Sequence, residues 1–165
     1  MIKNVVPYFL RLSYLYESDH GLFAEEEFRR LIDLEARRAA RSKTVSLLLL
    51  LDITAFQGRR ELDWITRNVA SALFASTREV DAKGWYQYPD VLGVLATDVA
   101  ATYDSICSTR NDITDELRVS LVGTLDEQDV RRIRFSCRTV PSLPCSIDFA
   151  LKRMNSIVEH AASIR

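Results

Sequence analysis

Four stretches of the chain repeat their apolar side chains every three to four positions, the spacing that places them on one face of a helix. These stretches cover residues 23–42, 61–76, 98–115 and 146–165. In the first, Glu35 falls on the apolar side and is expected to pair with Arg38. Asp98 is the predicted N-cap of the third. The periodicity of the last stretch fits both completion of the core and a docking or dimerising helix.

The remaining regular stretches predict strands. Residues 45–51 are apolar without alternation, as in a central strand that is covered on both faces. Residues 77–86 and 90–97 flank a Tyr-Pro-Asp turn and predict a hairpin. Residues 118–125 and 131–140 alternate around an acidic turn and predict a second hairpin.

The predicted element order is α-β-α-β-β-α-β-β-α. It indicates an α+β sandwich of the ferredoxin-like or palm type, with helices flanking a central mixed β-sheet. The predicted organisation is an N-terminal arm over residues 1–22, one domain over residues 23–145 and a C-terminal amphipathic helix over residues 146–165.

Composition narrows the function classes. The 165 residues include 22 basic and 23 acidic side chains, so no whole-molecule field favours nucleic acid, and we expect no nucleic-acid partner. Cys107, Cys137 and Cys145 show no metal-ligand spacing and are expected to be free thiols in a reducing compartment. No stretch is long enough for a membrane span, and the N-terminal sequence lacks a signal-peptide pattern, so we expect a cytoplasmic protein.

Short motifs occur in a defined order between residues 28 and 95. The first helix ends in E-x-x-R-A-x-R, the first strand ends at Asp52 with Thr54 and Phe56 after it, and an R-x-x-D motif (Arg78 to Asp81) stands five residues before the hairpin turn. In this order the motifs resemble the GGDEF domain of diguanylate cyclases, which is related to class III nucleotidyl cyclases. The resemblance implies that fold and a place in bacterial cyclic-di-GMP signalling. The hairpin sequence GWYQYPDVLGVLAT is also similar to GGDEF-like proteins found with exopolysaccharide biosynthesis systems.

The resemblance ends at the signature itself. The sequence QYPDV, residues 87–91, stands where GGDEF is expected. Glycines there would let the backbone approach a nucleotide closely, whereas Gln87 and Tyr88 would obstruct it. Two-metal phosphoryl chemistry needs clustered carboxylates, but Thr54 and Pro89 replace two of the family's acids. The resemblance therefore implies a degenerate, non-catalytic relative, with magnesium relevant only to residual nucleotide binding.

Two acidic candidates follow from the resemblance. Asp52 and Asp90 are vestigial metal ligands, and Asp90 stands one residue out of register. The alternative for Asp52 is a strand-end acid that caps the backbone or pairs with Arg59 or Arg60.

Other candidates concern binding. Arg78 and Asp81 would bind a cyclic dinucleotide, or would form a local salt bridge. Trp85, Tyr86 and Tyr88 would form a surface for a purine or a protein partner, or would pack across strands. A further set of basic side chains, expected on one strand face, would hold phosphate or remain solvated: Arg131, Arg132, Arg134 and Arg138.

The leading hypothesis is a catalytically inactive regulatory or scaffolding module that binds a protein partner or self-associates. The first alternative is a cyclic-di-GMP receptor that uses the R-x-x-D motif. The second is an active nucleotidyl cyclase that uses Asp52 and Asp90.

Overall fold

The computed structural model describes residues 19–142, so the predicted helix over residues 146–165 and most of the predicted N-terminal arm lie outside the described residues. The helices are α1 (Glu25–Ser42), α2 (Leu62–Ala75), α3 (Tyr103–Val122) and α4 (Glu127–Arg132). The strands are β1 (Thr44–Asp52), β2 (Ala82–Gln87), β3 (Val91–Ala100) and β4 (Arg134–Val140). Short 3₁₀ helices span Asp19–Gly21 and Thr54–Phe56. Within residues 19–142, no helix is long and apolar enough to cross a membrane.

The four strands form one sheet in the order β2-β3-β1-β4. With α2 and α3 as the connections, this is the β-α-β-β-α-β arrangement of ferredoxin-like domains, which confirms the predicted fold plan. All three strand pairings within residues 19–142 are antiparallel, so the sheet that the structure describes is not the mixed sheet that was predicted. β1 and β2 do run in the same direction, but β3 lies between them and they do not pair. The one parallel contact within residues 19–142 is the isolated bridge between Phe23 and Gly84.

The sheet separates two apolar layers. α1 packs on one face through Phe28, Leu31 and Ile32, which form one apolar cluster with Leu48 of β1. α2 and α3 pack on the other face, where they contribute to a larger cluster that includes Leu47 of β1. Because β1 is buried on both faces, its apolar run shows no alternation, as predicted.

Two glycines let α1 lie close to the β2–β3 hairpin. Gly84 and Gly93 are cross-strand partners, and the side chain of Phe28 lies directly over them. A Cβ atom on Gly84 would stand 2.7 Å from Phe28 Cβ, and one on Gly93 would stand 2.8 Å from Phe28 Cε1. Only glycine fits at either position without a shift of the helix.

The second half of the chain differs from its prediction. β3 continues to Ala100, and α3 begins after Thr102, whose hydroxyl oxygen accepts a hydrogen bond from Ser105 N at 3.3 Å. Asp98 is therefore not the N-cap; it lies within β3 with a positive φ of 58°.

The predicted second hairpin is also wrong. Residues 118–122 belong to α3 because Leu117 and Leu121 continue its buried face, and the acidic turn is the start of α4. Asp126 caps α4 by accepting a hydrogen bond from Asp129 N at 2.8 Å.

Candidate functional site

The loop after β1 lies against the hairpin turn. The Ile53 backbone N–H donates to Asp90 O at 2.8 Å, and Asp52 is the cross-strand partner of Val91. The two acids predicted as vestigial metal ligands are therefore brought to the same end of the sheet. Each is half-buried.

Both carboxylates are engaged by the protein's own groups. Asp52 Oδ1 accepts hydrogen bonds from the backbone N–H of Thr54 at 2.8 Å and from its hydroxyl at 2.5 Å. Asp90 Oδ1 accepts a hydrogen bond from Gln57 Nε2. The alternative in which Asp52 caps the backbone is thus observed, with Thr54 as its partner.

A second contact joins the same loop to α4. Arg59 Nη1 lies 3.1 Å from Asp129 Oδ1 on α4, and its guanidinium lies over the Phe56 ring at 5.5 Å. Arg59 therefore pairs with α4 and not with Asp52. The loop is fastened to the hairpin by Gln57 and to α4 by Arg59.

The residues present do not fit a two-metal centre. Two-metal sites cluster several carboxylates around a pair of ions about 3.5–4 Å apart. The resemblance to GGDEF domains implies a second acid two positions after Asp52. Thr54 stands there instead, and its hydroxyl donates to Asp52. In the part of the chain that the structure describes, no group of three or more His, Cys, Asp or Glu side chains could hold a metal ion.

The hairpin turn presents one aromatic side chain to solvent. Tyr88 is 67% exposed, and its backbone N–H donates to Glu25 Oε2 at 2.9 Å. This hydrogen bond, with a further contribution from Arg29, lowers the pKa of the Glu25 carboxyl below its ordinary value. The turn is thereby held against the first turn of α1.

The other two aromatic candidates have different surroundings. Trp85 is only 4% exposed and meets the Tyr88 ring edge to face at 5.1 Å. Tyr86 is half-buried, with the Arg29 guanidinium 4.6 Å from its ring centre and Arg138 donating to its hydroxyl at 2.9 Å. Of the three aromatic candidates, Tyr86 and Tyr88 are therefore accessible to a partner, and Trp85 is not.

The first and last residues of the R-x-x-D motif form an ion pair with each other just before β2. Arg78 Nη2 lies 2.8 Å from Asp81 Oδ1, and the same nitrogen donates to Thr97 O at 2.8 Å. The Asp81 carboxylate is 1% exposed and also accepts from the Arg78 backbone N–H at 3.1 Å. Lys83 Nζ donates to Arg78 O at 2.5 Å, and burial lowers the pKa of its ammonium group.

An open groove of about 640 Å³ lies beside this motif, between the end of β3 and α3. Its charged lining consists of Arg78, Asp81, Asp98, Asp112 and Glu116. Arg78 is 58% exposed at the edge of this groove. The groove therefore combines one accessible guanidinium with several carboxylates.

The predicted basic strand face is divided between two elements. Arg131 and Arg132 lie in α4, where they pair with Glu127 and Asp129. Arg134 and Arg138 lie on β4.

The local alternative for the R-x-x-D motif, a salt bridge between Arg78 and Asp81, is observed, but the partners of site residues that are distant in sequence were not predicted. Gln57 is 33 positions from Asp90, and Arg59 is 70 positions from Asp129. The sequence carries a local signal only for contacts within a few residues, such as the Glu35–Arg38 pair, which is confirmed at 3.4 Å.

Comparisons with known proteins agree with the β-α-β-β-α-β arrangement and narrow it. No protein-family model matches the chain, and no curated protein matches it significantly in sequence. Solved structures do match. A diguanylate cyclase protein from Thermotoga maritima aligns with a TM-score of 0.56 at 15% identity, over 86% of this chain and 95% of that one.

Two further structures align slightly better. The GGDEF domain of DgcB from Caulobacter crescentus, solved in complex with c-di-GMP, gives a TM-score of 0.60 at 17% identity over 90% of this chain and 89% of that one. The diguanylate cyclase SiaD from Pseudomonas aeruginosa, solved with its activator SiaC, gives 0.61 at 15% identity over 91% of this chain and 61% of that one. The chain has a GGDEF-like fold.

Proposed function

We propose that this chain is a GGDEF-like domain without cyclase activity, which acts as a regulatory or scaffolding module in bacterial signalling. The observation that carries the proposal is the engagement of both hairpin-end carboxylates by neighbouring side chains. Asp52 is held by Thr54 and Asp90 by Gln57. A metal ion would have to compete with these contacts at a site where the other carboxylates of a two-metal centre are missing.

The hairpin turn supports the same conclusion for the nucleotide. Gln87, Tyr88 and Pro89 occupy the positions where the family's two glycines and its third-position acid are expected. Side chains at these positions block the close backbone approach that glycine permits. The exposed Tyr88 ring is instead available to a protein partner, since aromatic side chains are enriched in protein interfaces. The connection with exopolysaccharide production rests on the resemblance of the hairpin sequence alone.

Isothermal titration calorimetry with GTP and magnesium tests the proposal. We expect no saturable heat with the full chain, and the same result for Asp52→Ala and Asp90→Ala. Saturable binding that disappears in either variant would show that these carboxylates hold a metal–nucleotide complex, and the proposal would fail.

A second function, a cyclic-di-GMP receptor, is favoured by one observation. Arg78 is half exposed beside an open groove, where its guanidinium has donors that remain free to reach a phosphate or a guanine edge. The buried Asp81 carboxylate would be less available, because it already accepts from the Arg78 side chain and backbone. The GGDEF domain of DgcB, which was solved with c-di-GMP, has the same fold.

Calorimetric titration with cyclic-di-GMP separates the two functions. A receptor predicts binding that is lost in Arg78→Ala and retained in Arg60→Ala, a control at another exposed arginine. Circular dichroism must show that Arg78→Ala remains folded. Absence of binding to the unmodified chain would remove the receptor and leave the partner-binding module.

A further inference from the structure

β4 forms one lateral edge of the sheet. In the sheet order β2-β3-β1-β4, the described residues give β4 a single neighbour, β1. The pairing runs without a register shift from Arg134 opposite Asp52 to Val140 opposite Ser46. A strand that is paired on one side presents a row of backbone N–H and C=O groups on the other, where another strand can be added.

The two edges of the sheet differ in whether their outer backbone groups are hydrogen-bonded by another segment of the described chain. At the β2 edge, the Phe23 N–H donates to Lys83 O at 2.9 Å, and the Trp85 N–H donates to Phe23 O at 2.9 Å. The chain thus covers part of that edge itself. β4 has the sequence RFSCRTV, with no proline, glycine or bulge to disturb its outer side.

The β4 edge is basic on both faces of the sheet. Arg134, Ser136 and Arg138 are exposed along the face that also carries α1. On the opposite face, the Arg118 guanidinium lies over the Phe135 ring at 5.5 Å. Within residues 19–142, Arg134 makes no ion pair, and Arg138 donates to the Tyr86 hydroxyl.

We propose that the outer edge of β4 accepts an extended acidic segment of another protein as a fifth strand. Residues four positions apart on a strand share a face and lie about 13 Å apart. The incoming strand would therefore carry two acidic side chains four positions apart, opposite Arg134 and Arg138. Backbone hydrogen bonds would supply the affinity, and the paired charges would set the register.

The rest of the given sequence does not carry this pair of acidic side chains. Residues 1–18 contain a single acid, Glu17, and residues 143–165 contain only Asp148 and Glu159, which are too far apart to face the two arginines. Antiparallel pairing of β4 with a second copy of β4 would place four arginines on one face, which is repulsive. Charge complementarity thus indicates an acidic partner, and the proposal holds whether or not the domain is catalytic.

Fluorescence anisotropy with the full chain tests the proposal. The probe is a labelled, end-blocked nine-residue peptide that alternates threonine and valine, with glutamate at its third and seventh positions. We expect saturable binding that weakens about tenfold in the double variant Arg134→Glu/Arg138→Glu, because attraction is replaced by repulsion at both positions. Arg37→Glu, at an exposed site on α1, should bind like the unmodified chain.

Two altered probes make the test specific for strand addition. A peptide with lysine in place of both glutamates should prefer the double variant over the unmodified chain. A glutamate peptide with alternate backbone amides methylated should bind at least about tenfold more weakly, because it cannot form the ladder hydrogen bonds. Equal binding of the methylated peptide, unchanged affinity in the double variant, or no saturable binding would each overturn the proposal.

Discussion

The contact between α1 and the hairpin predicts an unusual pair of mutational effects. The Cβ atom introduced by Gly93→Ala would lie 2.8 Å from Cε1 and 3.2 Å from Cζ of Phe28, at the far end of the ring. Favourable carbon–carbon contacts are about 3.5–4.0 Å, so the helix or the ring must shift by about 1 Å. Overpacking of this kind destabilises a protein by about 1–3 kcal/mol.

The substitution Phe28→Leu should distinguish the effect of Gly93→Ala from that of Gly84→Ala. Leucine lacks Cε1 and Cζ, the two Phe28 atoms nearest to the new Cβ of Gly93→Ala, so the clash with residue 28 should largely disappear in the Phe28→Leu background. A contact of 3.1 Å with Leu50 Cδ2 remains in both backgrounds, and it can relax because this atom is the end of a flexible side chain. Gly84→Ala should keep its full effect, because its Cβ would lie 2.7 Å from Cβ and Cγ of Phe28, which leucine retains. We therefore expect a coupling free energy of about 1 kcal/mol or more for Gly93, and little coupling for Gly84.

Urea unfolding of the full chain, followed by far-ultraviolet circular dichroism, measures these free energies. Gly123→Ala serves as the control, because its nearest neighbour would be a backbone oxygen at 3.4 Å, and we expect a change within about 0.5 kcal/mol. An equal effect of Gly93→Ala in both backgrounds would refute the packing described for Phe28.

Three further predictions concern single groups. Burial raises the pKa of the Cys137 thiol to about 12, so stability should fall as the pH rises from about 9 toward 12; Cys137→Ala should flatten this loss in urea titrations. The lowered pKa of Glu25 should give an NMR titration midpoint below 4.5, and its contribution to stability should be lost as the pH falls through that midpoint; Glu25→Gln should remove this part of the acid dependence. Thr102→Ala should lower the free energy of unfolding by about 1 kcal/mol, and Thr102→Ser should retain the cap.

The first half of the fold was predictable because its signals are local and strong. The periodicity of α1 and α2, the unbroken apolar run of β1 and the proline turn of the hairpin each fit one kind of element. The end of α3 was ambiguous, since the sequence RVSLVGTL alternates like a strand while Leu117 and Leu121 also keep helical spacing with Ile113. Contacts with the rest of the core stabilise the helix at these residues, and the local sequence pattern carries no information about such contacts.

The candidate site was predictable only in part. Motif order identified Asp52, Asp90, Arg78 and Asp81, and the structure brings them together in two pairs at separate places on the sheet. The groups that engage them, such as the Thr97 carbonyl 19 positions from Arg78, are brought close by the tertiary fold alone.

Turnover of GTP is the most direct measurement of the central claim. The full chain, incubated with GTP and magnesium or manganese, should yield no cyclic-di-GMP by chromatography above the level of an Asp52→Asn variant. Product formation that depends on enzyme concentration and is abolished by Asp52→Asn or Asp90→Asn would contradict the account and identify an active cyclase.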